Sequence, residues 1–275
     1  MKYSVVFLLF SVFAFSQTHR FFYELEYKSD STQTELKKRT MILDINPEET
    51  KYYDRVFLIK DSINKKFNSQ NTNWTDQIPV IRKRNSNKNT NFEMIDFQAY
   101  SYVTEDVIDW KLSKETQKYQ SFNLQKATAN FGGRKWIAWF TKDLPFSEGP
   151  YKFTGLPGLV ILLEDEKSNY KFSFIKNENL KETYDTSNFL EVRHRNKPIP
   201  VTEKIFNKKR MEYFNDPIQD IKTQLQNGSI SSVDFNGVRY TKPEELRPII
   251  EDEQDEMRKN NNPIELNKAP KYPKK

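Results

Sequence analysis

Between residues 21 and 175 the chain alternates apolar and polar side chains over short runs rich in Phe, Tyr, Val and Ile, the period-two pattern of half-buried strands. The pattern predicts strands over 21–27, 37–45, 52–59, 78–84 and 92–103, then over 110–112, 121–131, 135–141, 159–163 and 170–175. Helical periodicity comes later. Thr202 can cap a helix through Glu203, Ile205, Phe206, Arg210, Met211 and Phe214 that stops before Pro217. Pro217 can open a second helix carrying Ile218, Ile221 and Leu225 to a stop at Gly228. The economical architecture is mainly β (α+β): a strongly curved antiparallel sheet or partial barrel with a short C-terminal helical segment as its lid.

Two hairpins can be read residue by residue. Gly132 and Gly133 supply the positive φ values of a two-residue primed turn, which pairs Ala129 with Trp136 and Ala127 with Ala138. Ile137 and Trp139 then project from the other face, so both sides of this strand carry apolar mass. That fits a central strand covered on both faces, or a sheet whose concave face holds a ligand. On the second view Trp136, Trp139, Tyr151 and Phe153 are the candidate binding surface. The continuous run Leu159, Val160, Ile161, Leu162, Leu163 implies a strand buried on both faces, and it is followed by an alternating partner from Tyr170. The acids between them, Glu164, Asp165 and Glu166, fit a solvent-exposed turn.

The two ends differ from this body. A basic start, an apolar run over residues 5–15 and small residues at Ala14 and Ser16 read as a secretory signal peptide over residues 1–16, cut near Ser16 and Gln17. The run is shorter than the roughly 20 residues that span a bilayer, and no comparable run follows, so no transmembrane segment is expected in the mature chain. Export makes the destination periplasmic or secreted. A domain over residues 17–239 is followed by residues 240–275, where Pro243, Pro248, Pro263, Pro270 and Pro273 punctuate acidic, Asn-rich and basic stretches. Such a segment buries little apolar surface and is expected to be a mostly disordered tail, with a transient helix over 244–259.

Composition removes several chemistries. The chain has no Cys and two His, His19 and His194, which excludes thiol nucleophiles, disulfides and Cys-ligated metals and leaves little for a His-rich site. No metal or cofactor is expected. The net charge of +6 is small for 275 residues, and the basic triplets at 37–39, 82–84 and 208–210 have acids nearby, so they read as solvated surface and no nucleic-acid partner is expected. No Gly-x-Ser-x-Gly or His-Glu-x-x-His motif occurs. His194, between Arg193 and Arg195, could stay neutral as a base requires, but it fits a surface loop better. Asp143 and Glu148, flanking Pro145, are the candidate acids should the protein be an enzyme.

The most unusual stretch runs from Asp143 to Ile161. Leu156 must be extended because Pro157 follows it, and Gly158 can take the positive φ of a type II turn, so the chain reverses just before its most apolar strand. The spacing of Gly149 and Gly155 lacks the Gly-Lys-Ser/Thr of a phosphate loop. The run Gly155, Leu156, Pro157, Gly158, Leu159, Val160 resembles the signature of the GLPGLI family, exported proteins of Bacteroidetes-type bacteria. Further motifs follow the usual order of that family: Trp110-Lys-Leu, Gln125-Lys-Ala-Thr, Gly133-Arg, Ala138-Trp-Phe-Thr and Gly149-Pro-Tyr-Lys-Phe-Thr. The resemblance covers residues 21–227. Val160 stands where the family name has Ile, and Leu124 stands where members often carry Cys, so no thiol role carries over. The family has no assigned activity; the resemblance implies an exported location and a signature turn of structural role, and no reaction.

The function expected on these grounds is that of an exported envelope protein that binds without catalysis, or serves in assembly, through a curved aromatic-rich sheet. Its partner would be a peptide, an apolar ligand or another envelope protein. The alternative is a hydrolase using acids near the signature turn. A third reading, assembly through the tail as a tether, expects a partner to be lost on truncation after Arg239.

Overall fold

The N-terminal alternation becomes β1, Thr18–Tyr27, whose side chains Phe21, Tyr23, Leu25 and Tyr27 enter one core while Phe22 enters a smaller one on the opposite face. The structure, a computed structural model, describes residues 18–70, 75–192 and 196–274; the expected signal segment and His194 lie outside the described residues. Strands β2 (Lys37–Ile45), β3 (Glu49–Asp54), β4 (Val80–Lys83), β5 (Lys88–Ile95) and β6 (Gln98–Glu105) continue from β1 as one antiparallel meander. A second meander comprises β7 (Lys111–Tyr119), β8 (Phe122–Phe131), β9 (Arg134–Thr141), β10 (Leu159–Asp165) and β11 (Tyr170–Leu180). Pairing of β1 with β11 joins the two, and the two-residue β12 (Ile199–Pro200) runs parallel to β6. The protein is therefore mainly β, as expected, and the sheet is mixed. Among the described residues twelve strands form it, in an open order whose edges, β7 and β12, do not pair.

The glycine hairpin has the register that its sequence implies. Gly132 and Gly133 sit at φ 62° and 77°, and Ala129 faces Trp136 while Ala127 faces Ala138. The hairpin between β10 and β11 forms as well, but its turn is not wholly exposed. Asp165 is buried, accepts 2.7 Å hydrogen bonds from the backbone N–H of Asn169 and Tyr170, and pairs with Arg134. An acid that satisfies a turn's own amides can sit in a core, and composition does not distinguish it from a solvated one.

Two strand expectations are corrected. Residues 52–59 divide at Asp54, whose carboxylate accepts the Val56 N–H, and continue as helix α1, Val56–Phe67, closed by Asn68 in the left-handed region. A short apolar run such as Val56-Phe-Leu-Ile carries no period that separates helix from strand. Residues 92–103 form two strands turning at Asp96 (φ 52°) and Phe97, with Ile95 opposite Gln98.

Helix α2, Glu203–Asn215, starts where expected, with the Thr202 hydroxyl accepting the Ile205 N–H. Its Phe206 stacks on Tyr102 of β6 at 5.0 Å. Helix α3 (Gln219–Gln226), the hairpin β13 (Val233–Phe235) and β14 (Val238–Tyr240), and helix α4 (Arg247–Lys259) share a small core around Ile218, Leu246 and Ile249. The segment from residue 240, expected to be a mostly disordered tail, carries one of these helices. α4 is a full helix, and beyond it Asn262, Ile264 and Glu265 are buried against the sheet. A few anchors on a finished core order a segment whose composition could not support a core of its own. Among the described residues no helix is long and apolar enough to cross a membrane.

Candidate functional site

The segment between β9 and β10, residues 142–158, crosses the interior and carries the sequence signature. Two prolines each centre a three-residue turn: Phe146 N–H donates to Leu144 O and Gly158 N–H to Leu156 O, both at 2.8 Å. The expected type II turn is therefore not formed. Gly158 is required for another reason, because a Cβ there would lie 2.0 Å from the Thr141 carbonyl oxygen. Gly155 does take a positive φ, 97°. Leu156, Leu159 and Val160 are buried, while Gly155 and Pro157 face solvent. The Ser147 hydroxyl donates to Leu156 O at 2.6 Å, the Tyr23 hydroxyl to Val160 O at 2.7 Å and the Trp110 ring N–H to Thr154 O at 2.8 Å. The signature residues are bound up in fixing this crossing.

The two candidate acids do not meet in one site. Asp143 is exposed on the loop. Glu148 is drawn inward, where it pairs with Arg82 of β4 and accepts from the Thr50 hydroxyl of β3 at 3.2 Å. Asp143→Asn is expected to change stability by less than about 0.5 kcal/mol. Glu148→Gln weakens the hold on the buried Arg82 and is expected to cost about 2 kcal/mol, measured as a shift in the urea midpoint.

The residues of the expected aromatic surface lie mostly inside the protein. Trp136, Tyr151 and Phe153 are core residues. The Trp136 ring lies 4.5 Å from that of Phe153, and its N–H donates to Phe131 O at 3.0 Å, so the ring is satisfied without a ligand. Trp139 is half-buried, with Lys126 5.8 Å from its ring. The inner face of the sheet is filled by the protein's own side chains.

Open space lies elsewhere, in a cleft of about 940 Å³ between strands β5 and β6, helix α2 and the C-terminal segment. Its volume falls within the range of ligand sites. Six tyrosines line it: Tyr27, Tyr102, Tyr151, Tyr170, Tyr213 and Tyr272. Its lining carries seven carboxylates against four cations, in a chain whose net charge is positive. Beneath it Lys152, 1% exposed, lies 2.5 Å from Glu265 and 3.3 Å from Asp106. Glu265 also accepts from the Tyr151 hydroxyl at 2.6 Å and pairs with Lys268 at 2.8 Å, which reaches Glu203 at 3.0 Å. One wall holds Glu93, which accepts from the Tyr102 hydroxyl and pairs with Arg210 at 2.8 Å. At the other end the Tyr27 hydroxyl donates to Asp76.

Burial pushes the phenols of Tyr102 and Tyr151 upward, and the neighbouring Glu93 and Glu265 charges add to this, so both remain protonated donors. Burial also pushes the Asp106 carboxyl up, but the Lys152 charge and the Thr104 hydroxyl outweigh it and hold Asp106 below its usual range. The site thus offers fixed donors, acceptors and ring faces. Glu265, Lys268 and Tyr272 had no signal in the sequence because the partners that seat them against the rest of the protein, Lys152, Glu203 and Phe214, lie in distant elements. The stacking of Tyr272 on Phe214 at 4.4 Å is of that kind.

A family model described as "Protein of unknown function (Porph_ging)" matches residues 132–162, from the glycine turn through β9 and the buried crossing into β10. These residues include the glycine-proline run on which the GLPGLI resemblance rests. No curated protein matches the chain. Among solved structures, PNGF-II is similar in two crystal forms, each with a TM-score of 0.52, at 15% and 16% identity. The match covers 70% of this chain and 32% of PNGF-II, so the chain spans about a third of that protein's length. At such identity the likeness is one of fold.

Proposed function

We propose that this protein is an exported, non-catalytic binding protein of the bacterial envelope, freed from its signal peptide near Ser16 and Gln17, which holds an extended peptide segment in the tyrosine-lined cleft. The observation that carries this reading is the cleft itself. It combines six phenol-bearing walls with an excess of carboxylates, the chemistry that accepts a polar backbone and cationic side chains. The curved sheet belongs to the same reading. Lys152 touches Thr104 of β6 while the adjoining Phe153 touches Trp136 of β9, although seven strands lie between them in the sheet order. In a flat sheet that separation would be about 38 Å, so we picture the two meanders bending around the buried crossing.

The hydrolase alternative draws less support, because its two acids face different surroundings, Glu148 toward Arg82 and Asp143 toward solvent. Native mass spectrometry of the protein purified from its own envelope tests the proposal. A peptide adduct is expected, and Asn207→Trp, which places bulk on the exposed α2 wall of the cleft, is expected to abolish it. A bare protein mass, or an adduct unaffected by Asn207→Trp, would overturn the assignment.

A further inference from the structure

Helix α1 is built the wrong way out for a helix that only covers a core. Phe57 and Asp61 are its buried residues, with Phe57 stacked on Phe189 at 6.2 Å and Asp61 accepting from the Tyr184 hydroxyl at 2.7 Å. At 3.6 residues per turn, Ile59, Ile63 and Phe67 fall on one line along the opposite side. They are 46%, 38% and 67% exposed, a contiguous apolar stripe rather than scattered surface residues. The same wheel puts Arg55 and Lys66 along one margin of the stripe and Lys60 along the other. Lys66 lies 5.3 Å from the Phe67 ring, its stem along the stripe and its charge at the rim. Asp61, the single acid of the helix, is on the inner face and paired with Lys65 at 2.7 Å.

We infer that α1 is a docking surface for an anionic lipid bilayer, lying in its plane with Ile59, Ile63 and Phe67 among the acyl chains and Arg55, Lys60 and Lys66 at the headgroups. Charge complementarity selects this occupant. A convex apolar ridge with cations on both margins matches an interfacial helix, whereas protein interfaces are depleted in Lys and need a shaped counterpart. The stripe lies on the face of the sheet away from the buried crossing, since Phe57 packs into the smaller core with Phe22 and Ile42. Bilayer contact and cleft binding can therefore be tested separately.

The test is flotation of the full mature chain with vesicles of phosphatidylethanolamine and phosphatidylglycerol, beside vesicles of phosphatidylcholine alone. Binding to the anionic vesicles is expected to be at least about tenfold the stronger, and to weaken as salt is raised. Ile63→Glu is expected to remove it, and Lys66→Glu to weaken it several-fold. Both sites are exposed, and an unchanged urea midpoint would show that the variants fold. Equal binding to both vesicle types, no binding to either, or full binding by Ile63→Glu would overturn the proposal. So would a self-associating chain that becomes monomeric on Ile63→Glu without ever floating, which would make the stripe a protein contact.

Discussion

Deleting residues 261–275 is expected to leave a chain that no longer unfolds as one cooperative unit. Ile264 enters the main core, and removing it gives up about 2 kcal/mol of apolar burial. Asn262 accepts from Arg134 at 2.5 Å, and its carbonyl accepts from the Tyr170 hydroxyl at 2.7 Å. The carbonyls of Pro263 and Ile264 accept from Arg134 as well, and Glu265 accepts from Lys152 and Tyr151. Each buried donor left without its acceptor costs about 1–3 kcal/mol, so the total approaches the roughly 5–15 kcal/mol that holds an ordinary domain together. The single change Glu265→Ala leaves Lys152 with Asp106 as its remaining carboxylate and is expected to cost about 3 kcal/mol. Lys152→Met combined with Glu265→Leu is expected to recover much of that loss, because two apolar groups replace a desolvated pair. Urea unfolding of the four chains decides the matter. A truncated chain as stable as the full one would show that the segment is an appendage, the outcome that a tail used as a tether requires.

Gly158→Ala is the second large effect. The Cβ would sit 2.0 Å from Thr141 O and 2.7 Å from Thr141 C, both backbone atoms of β9, so no side-chain rotation relieves the contact. Relief requires shifting the start of β10 away from β9 and breaking the Leu159–Thr141 pairing. A loss above about 4 kcal/mol is expected, in the range reserved for severe core lesions. Gly228→Ala is the control. Its φ is also positive, at 75°, but nothing lies within 4 Å of the new Cβ, so the cost is the conformational one of about 1 kcal/mol. Similar midpoints for the two variants would mean that β10 can move away from Thr141 at little cost.

What could be read from the sequence follows the range of the physics involved. The Gly132–Gly133 turn, the β8–β9 register and the Thr202 cap depend on neighbours a few positions away, and all three are as the residues imply. Helix α1 was misread because four apolar residues in a row suit a buried strand as well as a helix. Asp54, whose carboxylate accepts the Val56 N–H just before the helix, looks in the sequence like any other acid. The site is legible in part: Tyr151, expected on a binding surface of the sheet, lines the cleft instead, and Glu148, expected as a candidate acid, pairs with Arg82. Lys152 and Glu265 are 113 positions apart, and nothing local to either marks them as partners. For the C-terminal segment, composition measures whether it can fold alone and not whether the sheet offers a seat to Ile264 and Glu265.

A crystal structure of the protein isolated with whatever it carries from its own envelope tests peptide binding in the cleft most directly. Extended peptide density along Tyr102, Tyr213 and Tyr272, with a cationic side chain against the carboxylates of the cleft wall, is the expected result. A ligand lodged instead against Trp139 on the sheet, or a cleft closed by its own side chains, would contradict it.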